Sequence, residues 1–344
     1  MKILMVGPDK SERGGISTVI QNTMSAERNF EVVELPNWKS TNRWAPFFKN
    51  MIQIRSIIRK EKIDVVHFHV AQKGSFFRKA FLALIVNRLS KTIFHMHASE
   101  FDKFYDNSSR IVRRFISYVL NRVDKVVAVS PEWQNYYKQF APNKTAAVYN
   151  AVPAGVPITR KKTKNILTLG KIGKRKGSYD LLEVAKRIEK IDSEITFSIC
   201  GDGEINKFKE ISKHMRNLYV YEWLNEQQKV EMFENTALHF LPSYKEGLPM
   251  AILETMSYGI SNLSTNIGGI PSVIQDGSNG FICEPGDIED MTEKIVNFFS
   301  NESHKELEEN AKRTINQNFS MISYIKSWEK IYVSIMKKST NVIN

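Results

Sequence analysis

The chain has 344 residues, of which 42% are hydrophobic and 25% are charged, an ordinary balance for a folded globular protein. Two cysteines are too few for a disulfide framework, so the sequence excludes a small disulfide-stabilised scaffold and predicts buried free thiols at Cys200 and Cys283. The apolar run 81–86 is too short to cross a bilayer, and the apolar start is too short for a signal peptide. These features predict a cytoplasmic protein, with peripheral contact at the inner membrane face as an option.

The net charge of +12 is unevenly distributed. Residues 1–158 carry 24 Lys and Arg against 12 Asp and Glu, whereas residues 159–344 carry 25 of each kind. A basic first half indicates an acidic partner there: nucleic acid, an anionic membrane surface or a phosphate-bearing acceptor. A scattered solubilising surface is the alternative.

Strand-like segments alternate with helical patterns along the first half, which is typical of βαβ units and parallel sheets. The predicted strands are 2–6, 32–35, 63–69, 91–97, 125–130 and 148–149. The predicted helices are 15–27, 46–60, 74–89 and 108–122. A linker is expected at 150–165, where two prolines, a glycine and a basic run interrupt the apolar pattern.

A second alternating series follows the linker. Its predicted strands are 166–170, 194–201, 218–224, 237–243 and 260–264. Its predicted helices are 178–190, 204–215, 226–235, 249–258, 269–274, 287–299 and an amphipathic last helix at 320–338. Two parallel-sheet domains in tandem are expected to leave a cleft at the carboxyl ends of their strands, where ligands bind in such sheets.

The most informative segment is PSYKEGLPMAILETMSYG, residues 242–259. Glu246 lies in a strand–helix loop, Pro249 suits the first helical position, and Glu254 lies about one turn inside the helix. The first helix amides have no intrahelical partner and suit a diphosphate. A carboxylate on the next turn can accept hydrogen bonds from ribose hydroxyls.

The two glutamates with Gly, Pro and the following Ser-x-Gly resemble the signature of the retaining glycosyltransferase family 4, which has the GT-B fold. The resemblance implies that Glu254 binds the donor ribose and that Glu246 lies beside the donor sugar. It places Gly247, Leu248, Pro249 and Met250 in the donor site. It implies an N-terminal Rossmann-like domain at 1–152, a donor-binding domain at 156–318 and a helix at 319–338 that crosses back to the first domain.

A basic stretch, LTLGKIGKRKGSYDLLEVA (167–185), resembles that family's strand, cation and Lys-Gly turn. The implied diphosphate ligands are Lys171 and Lys176, because a metal-independent enzyme needs cations to stabilise its leaving group. Family members often carry Arg where Lys171 stands, and lysine lacks the bidentate fork. Lys174 and Arg175 are expected to be solvated.

Glycines mark three further turns. Gly201 lies in CGDGE (200–204), where it either admits the donor or serves strand packing. Gly268 and Gly269 resemble the family's glycine-rich loop, although this chain has Ser272 where many relatives are acidic. Gly14 and Gly15 precede a helix after the first strand and resemble the family's N-terminal phosphate loop.

Two His-x-His pairs end neighbouring predicted strands. His97 resembles the family histidine near the donor sugar, with a hydrogen-bonding rather than a proton-abstracting role. His67 and His95 are expected to be satisfied core residues, and His69 is undecided. We expect no metal site, because no carboxylate or cysteine ligand is placed nearby and family members need no metal.

Basic and aromatic residues cluster in 72–88 and 108–122. These segments suit either a helix seated on an anionic bilayer or core-facing helices with solvated cations.

The sequence therefore predicts transfer of a sugar from a nucleotide diphosphate sugar to a sugar or lipid-linked oligosaccharide acceptor, with retention and without a cofactor, in bacterial surface polysaccharide synthesis. A sugar-nucleotide epimerase or phosphorylase of the same fold is the alternative. A nucleic-acid-binding protein is disfavoured, because the second half is neutral and aromatic RNA signatures are missing.

Overall fold

The computed structural model describes residues 1–9, 11–39, 44–301 and 304–337, and it divides the chain into two compact units. The first unit comprises Met1–Ala151 together with the last helix, and the second comprises Val152–Ser320. Each unit contains a six-stranded sheet in which neighbouring strands run parallel. The expected pair of Rossmann-like α/β domains is thus confirmed.

The first sheet has the order β2-β1-β3-β4-β5-β6. Its strands are β1 Lys2–Pro8, β2 Glu31–Trp38, β3 Val65–Val70, β4 Lys91–Met96, β5 Lys125–Ala128 and β6 Thr145–Ala147. Its helices are α1 Gly15–Ser25, α2 Ala45–Glu61, α3 Gly74–Val86, α4 Phe101–Asp106, α5 Arg110–Arg122 and α6 Pro131–Lys138. Every residue of β3 is buried, as expected for a parallel strand covered on both faces.

The second sheet has the order β12-β11-β10-β7-β8-β9. Its strands are β7 Asn165–Leu169, β8 Thr196–Cys200, β9 Leu218–Tyr221, β10 Leu238–Leu241, β11 Ser261–Thr265 and β12 Phe281–Cys283. Its helices are α7 Ser178–Ile191, α8 Ile205–Ser212, α9 Glu226–Glu234, α10 Met250–Ser257, α11 Ile288–Ser300 and α12 Lys305–Asn318. The strand order reverses between β7 and β10, which is where ligands bind in open parallel sheets.

The last helix, α13, runs from Met321 to Lys337 and belongs to the first unit. Its apolar side contributes Tyr324, Trp328 and Tyr332, all of which are buried. The amphipathic helix expected at 320–338 is confirmed over the residues that the structure describes. Among the described helices, none has the length and apolar character needed to cross a membrane.

Other elements differ from the prediction. The last strand of the first sheet is Thr145–Ala147 rather than 148–149, because its alanines give little β signal. The expected helix at 269–274 is only a 3-10 turn at Ile270–Ser272. Helix α12 was not predicted, since Ala311 and Ile315 are its only fully buried residues. Cys200 and Cys283 are buried free thiols, as expected.

Candidate active site

The loop between β10 and α10 carries Glu246, whose side chain is only 7% exposed. Its Oε1 lies 2.7 Å from the Nζ of Lys176 and accepts a hydrogen bond from Ser243 Oγ at 2.9 Å. The Nη1 of Arg175 lies 3.4 Å from the same oxygen. Three donors converging on one carboxylate oxygen fix the side chain in place at the end of β10.

The two cations come from a 3-10 turn at Lys174–Lys176, directly after β7. Gly177 ends that turn with a φ of 66°, and a Cβ there would lie 1.7 Å from the carbonyl oxygen of Pro242. Only glycine allows this approach, which brings the turn against the Glu246 loop. The expectation that Arg175 is solvated is wrong, because it also donates to the Lys245 carbonyl at 2.8 Å. Lys174 is exposed, as expected.

Lys171 stands apart from this cluster. It follows β7, is exposed, and lies beside Gly203 of the next turn. The structure thus brings Lys176 and Glu246 together, and it leaves Lys171 at the same edge of the sheet without an ion pair to a described residue. At Gly201, a Cβ would come 1.8 Å from the carbonyl oxygen of Gly170, so close packing of β8 on β7 explains this glycine.

The glycine-rich loop after β11 supports the Glu246 loop from the neighbouring strand. Gly268 has a φ of 54°, and a Cβ there would lie 2.2 Å from the carbonyl oxygen of Glu246. The amide of Gly269 donates to the carbonyl of Gly247 at 2.6 Å. Leu248, in the same loop, is buried. Both glycines therefore position the loop, and the predicted contacts to a sugar stay a prediction.

Helix α10 begins one residue later than expected. Pro249 is the N-cap, with extended φ and ψ of −72° and 123°, and Met250 is the first helical residue. Pro249 makes no side-chain cap hydrogen bond, and the first amides of a helix have no partner within the helix. They and the positive end of the helix dipole suit an anion near Glu246.

Glu254 lies in the same helix and is paired with a residue that sequence reasoning missed. The Nζ of Lys229, in α9, lies 3.2 Å from the Oε2 of Glu254 and 2.8 Å from a carboxylate oxygen of Glu226. Burial raises the pKa of Glu254, and Lys229 partly offsets that shift. Nothing in the sequence marks Lys229, because its spacing from Glu254 along the chain follows no motif.

In the first unit, Gly14 and Gly15 form the start of α1. Gly14 is the N-cap with a φ of 132°, it makes no side-chain hydrogen bond, and no described atom lies within 4 Å of where its Cβ would stand. The helix start is therefore open. It follows β1, next to the point where the order of this sheet reverses, so the placement suits the predicted phosphate loop.

The four histidines form a row across β3 and β4. His69 Nδ1 lies 3.0 Å from His97 Nε2, and His67 Nε2 lies 3.2 Å from His95 Nδ1. Burial lowers the pKa of His67 and of His97 to about 3, and it lowers the other two pKa values well below 6.5. The rings are therefore neutral near pH 7. His67 and His95 are buried in the core as expected, although Nε2 of His95 has no hydrogen-bond partner among the described residues. His69 contacts His97.

Ring nitrogens of His67, His69 and His95 lie within 4.8 Å of one another. Within the described chain, no carboxylate or thiol joins them as a ligand group. The Nδ1 of His67 instead lies 2.7 Å from the hydroxyl of Tyr332. The expected absence of a metal stays a prediction.

Comparison with known proteins adds to this geometry. Residues 11–155 match the family model described as Glycosyltransferase Family 4, and residues 156–314 match that of glycosyl transferases group 1. The chain belongs to glycosyltransferase family 4. The glycosyltransferase thus has its family signature, EGLPMAILE, in the loop and helix that hold Glu246 and Glu254.

Several relatives of this glycosyltransferase have names that specify a reaction. It is 25% identical over 309 residues to the N-acetyl-alpha-D-glucosaminyl L-malate synthase of Bacillus anthracis, covering 84% of this chain and 79% of that protein. It is 21% identical to the UDP-Gal:alpha-D-GlcNAc-diphosphoundecaprenol alpha-1,3-galactosyltransferase of Escherichia coli, covering 84% and 80%.

The structure of Anabaena HepE in complex with UDP matches this glycosyltransferase with a TM-score of 0.77 at 16% identity, covering 97% of this chain and all of that one. At that identity the match shows the fold alone, which is GT-B. The family and fold expected from the sequence are confirmed, and the roles of individual site residues stay predictions.

Proposed function

We propose that this glycosyltransferase moves a sugar from a nucleoside diphosphate sugar to a hydroxyl of a lipid-linked glycan, with retention, in bacterial surface polysaccharide synthesis. The contact of Lys176 and Arg175 with Glu246, beside the uncapped start of α10, carries this proposal. It combines cations and helix amides for a diphosphate with a carboxylate for the sugar. The names of the Escherichia coli relative and the HepE complex, with a diphosphate-linked acceptor and UDP, support it.

In the proposed reaction, the bond between the anomeric carbon and the diphosphate oxygen breaks, and its electron pair goes to that oxygen. Lys176 stabilises the developing charge, with Lys171 at the same edge, and no metal is required. The acceptor hydroxyl attacks from the face that the diphosphate leaves, and its proton goes to the leaving phosphate. Oε1 of Glu246 is already engaged by three donors, which favours an orienting role over covalent attack.

Two further residues would bind the donor. Glu254 would accept hydrogen bonds from the ribose hydroxyls, and Lys229 would hold its carboxylate in position. His97 would hydrogen-bond a sugar hydroxyl. Because burial lowers its pKa to about 3, the ring is neutral at physiological pH and acts without a change of charge.

The decisive experiment is a panel of nucleotide sugars assayed for nucleotide release, with and without a bacterial lipid extract. We expect one donor to be consumed only when the extract is present, and the product sugar to keep the donor's anomeric configuration by NMR. EDTA should leave the rate unchanged. Release of an inverted product would refute retention, and conversion of the donor without any acceptor would favour the epimerase or phosphorylase alternative.

The proposal includes contact with an anionic membrane through the first unit. An exposed apolar stripe at the start of α2 consists of the N-cap Trp44, Phe48 and Ile52, which are 56%, 57% and 82% exposed. The exposed cations Lys49 and Arg55 lie on the same helix. Exposed aromatic and basic residues in one helix suit the interface of an anionic bilayer.

The stripe differs from the segments that the sequence indicated. Phe76 and Lys79 of α3 are buried, so most of the cluster in 72–88 faces the core. Phe81 is 46% exposed and lies 5.7 Å from Phe115 of α5, ring centre to ring centre. Ile111 of α5 is 79% exposed. The segment 108–122 therefore fits the membrane interpretation better than 72–88 does.

Vesicle flotation tests this surface. We expect the protein to float with vesicles that contain phosphatidylglycerol and to stay unbound with pure phosphatidylcholine. Changing Trp44 and Phe48 together to serine should abolish flotation. Ile191→Ser, which changes an exposed apolar residue of the second unit, is the matched control. Equal flotation of both variants would refute the assignment.

A further inference from the structure

Lys79, in the second turn of α3, is a buried cation that the proposed reaction does not use. Lys79 is 2% exposed, and the charges that act on it among the described residues include Arg78 and no carboxylate. Its Nζ donates a hydrogen bond to Ser75 Oγ at 2.8 Å. An ammonium group has three N–H donors, so in the protonated form at least two of them have no acceptor among the described residues. Burial of an ammonium group without a counter-ion is costly, and the cost is relieved either by loss of the proton or by binding of an anion.

Ser75 completes a set of donors. Its Oγ accepts both the Lys79 bond and a bond from the amide of Ala71 at 3.1 Å, which occupies its lone pairs. The hydroxyl proton of Ser75 therefore points elsewhere, and no described group accepts it. The groups gathered here can give hydrogen bonds and have little capacity left to accept them. Such a set matches a ligand rich in acceptor oxygens.

The backbone adds to the positive character of this point. Helix α3 is 13 residues long, begins at Gly74, and has no side-chain cap at Lys73. The Nη1 of Arg78 lies 3.2 Å from where a Cβ on Gly74 would stand. A helix start without a side-chain cap thus lies beside the basic side chains of Arg78 and Lys79, in the segment that follows β3.

The site lies at the edge of the first sheet where the carboxyl ends of β3 and β4 meet. β3 and β4 are neighbours, and the amide of His97 donates to the carbonyl of Val70 at the end of β3. Lys79 is close enough that its charge lowers the pKa of His69 and of His97, although burial is the larger cause. An anion held here would therefore sit within the same unit as His97, beside the residue expected to contact the donor sugar.

We propose that Lys79, Ser75 and the start of α3 bind the phosphate or diphosphate group of the acceptor substrate. This inference rests on the proposed function, since it names what that function's acceptor must carry. The acceptor phosphate would accept hydrogen bonds from the Lys79 ammonium and the Ser75 hydroxyl and would supply the missing counter-charge. It would fix the acceptor's sugar at a set distance from its phosphate.

Inorganic pyrophosphate is the probe for the test. To silence the donor site, the full chain carries Lys171→Ala and Lys176→Ala in every sample. We expect pyrophosphate binding by calorimetry to weaken at least about tenfold in Lys79→Met and to be largely kept in Lys79→Arg. Lys138→Met changes an exposed lysine of the same unit and is the matched control. Equal binding by Lys79→Met, or no pyrophosphate binding in the Lys79-containing protein, would overturn the proposal.

A second measurement, the pKa of Lys79 itself, needs no substitution at Lys79 and so does not depend on whether such a variant folds. Burial, with a smaller contribution from Arg78, lowers the pKa of Lys79 to about 7. The other titratable or charged groups that face it are His69, from β3, and His97, after β4. In protein labelled at lysine ¹³Cε, we expect saturating pyrophosphate to raise the pKa of Lys79 by about one unit or more. A titration midpoint that does not move would show that Lys79 is only structural.

A comparison of two kinds of vesicle distinguishes a lipid-linked acceptor from a soluble one. Phosphatidylcholine vesicles with and without polyprenyl diphosphate are compared by flotation, using the same variants. Binding that depends on both polyprenyl diphosphate and Lys79 assigns a lipid-linked acceptor. Pyrophosphate binding without this flotation assigns a soluble phosphorylated acceptor. Failure of the proposed function would appear separately, as undiminished turnover in the Lys176→Ala protein.

Discussion

Nζ of Lys176 and Oε1 of Glu246 lie 2.7 Å apart, with only 13% and 7% of the two side chains exposed. One residue follows β7 and the other follows β10, so the pair spans the point where the order of the second sheet reverses. A partly desolvated pair of this kind holds both groups in register before a substrate arrives. Binding of a diphosphate would let Lys176 share its charge between Glu246 and the ligand.

Glu246→Gln should lower the turnover number by about 100-fold or more, because the amide cannot orient the cations and the sugar as the carboxylate does. The change keeps the size of the side chain, so the melting temperature should move far less than the rate. Glu308→Gln is the control: it breaks the 2.6 Å pair with Arg160 in the same unit, and it should affect stability rather than turnover. Near-normal turnover in the first variant would refute the role of Glu246.

Lys176→Met should weaken donor binding by about 10- to 100-fold, since it removes a charge-assisted contact to the diphosphate. Lys174→Met changes an exposed lysine two positions away and should bind the donor normally. Titration with the donor followed by calorimetry separates the two. If both variants bind equally well, the assignment of Lys176 to the diphosphate is wrong.

Glu254→Gln should weaken binding of a nucleoside diphosphate by about tenfold and leave pyrophosphate binding nearly unchanged, because only the nucleotide has ribose hydroxyls. Glu226→Gln is matched to it, since Glu226 contacts the same Lys229 yet is largely exposed. Binding is measured by calorimetry for both ligands. A loss of affinity equal for nucleotide and pyrophosphate would contradict a ribose contact.

Gly268→Ala should reduce turnover strongly. The Cβ of the alanine would lie 2.2 Å from the carbonyl oxygen of Glu246 and would displace the loop that carries Glu246. Gly277→Ala carries the same backbone penalty of about 1 kcal/mol, since its φ is 71°, but it meets open space. Both variants should therefore lose stability, and only the first should lose activity. Comparable activity in the two would show that the loop tolerates displacement.

The row of histidines should make stability fall in acid. A folded-state pKa below 6.5 means that the unfolded chain binds more protons, so the free energy of unfolding decreases as pH falls from about 6.5 toward 3. His97→Gln should reduce that slope by up to about 1.4 kcal/mol per pH unit, and His214→Gln, on an exposed residue, should leave it unchanged. Denaturant unfolding between pH 4 and pH 7 measures the slope, and an equal slope in both variants would exclude a neutral His97 in the folded protein.

The sequence predicted the fold well because its signals are local. Alternating strand and helix patterns specify parallel sheets, and a single segment, 242–259, places Glu246 and Glu254 on a loop and its helix. The position of Lys176 against Glu246 was also implied by the family resemblance. Partners that depend on distant packing were missed.

Arg175 was expected in solvent, although the turn at Gly177 folds its side chain onto the loop of Glu246. Lys229 and Lys79 carry no sequence signal either. The sequence does not distinguish a buried lysine from an exposed one. The burial of Lys79 follows from the packing of α3 on the sheet.

The last helix has a consequence for how the protein is made. Trp328 and Tyr332 cover the histidine row of the first unit, yet they are translated after the whole second unit. During translation, the strands of the first unit are complete before α13 is available to cover the histidine row. The second unit can therefore fold before the first unit is complete. A protein truncated near residue 320 would contain every described strand of both sheets but would lack α13. Its first unit should therefore be incompletely folded and readily degraded by proteases.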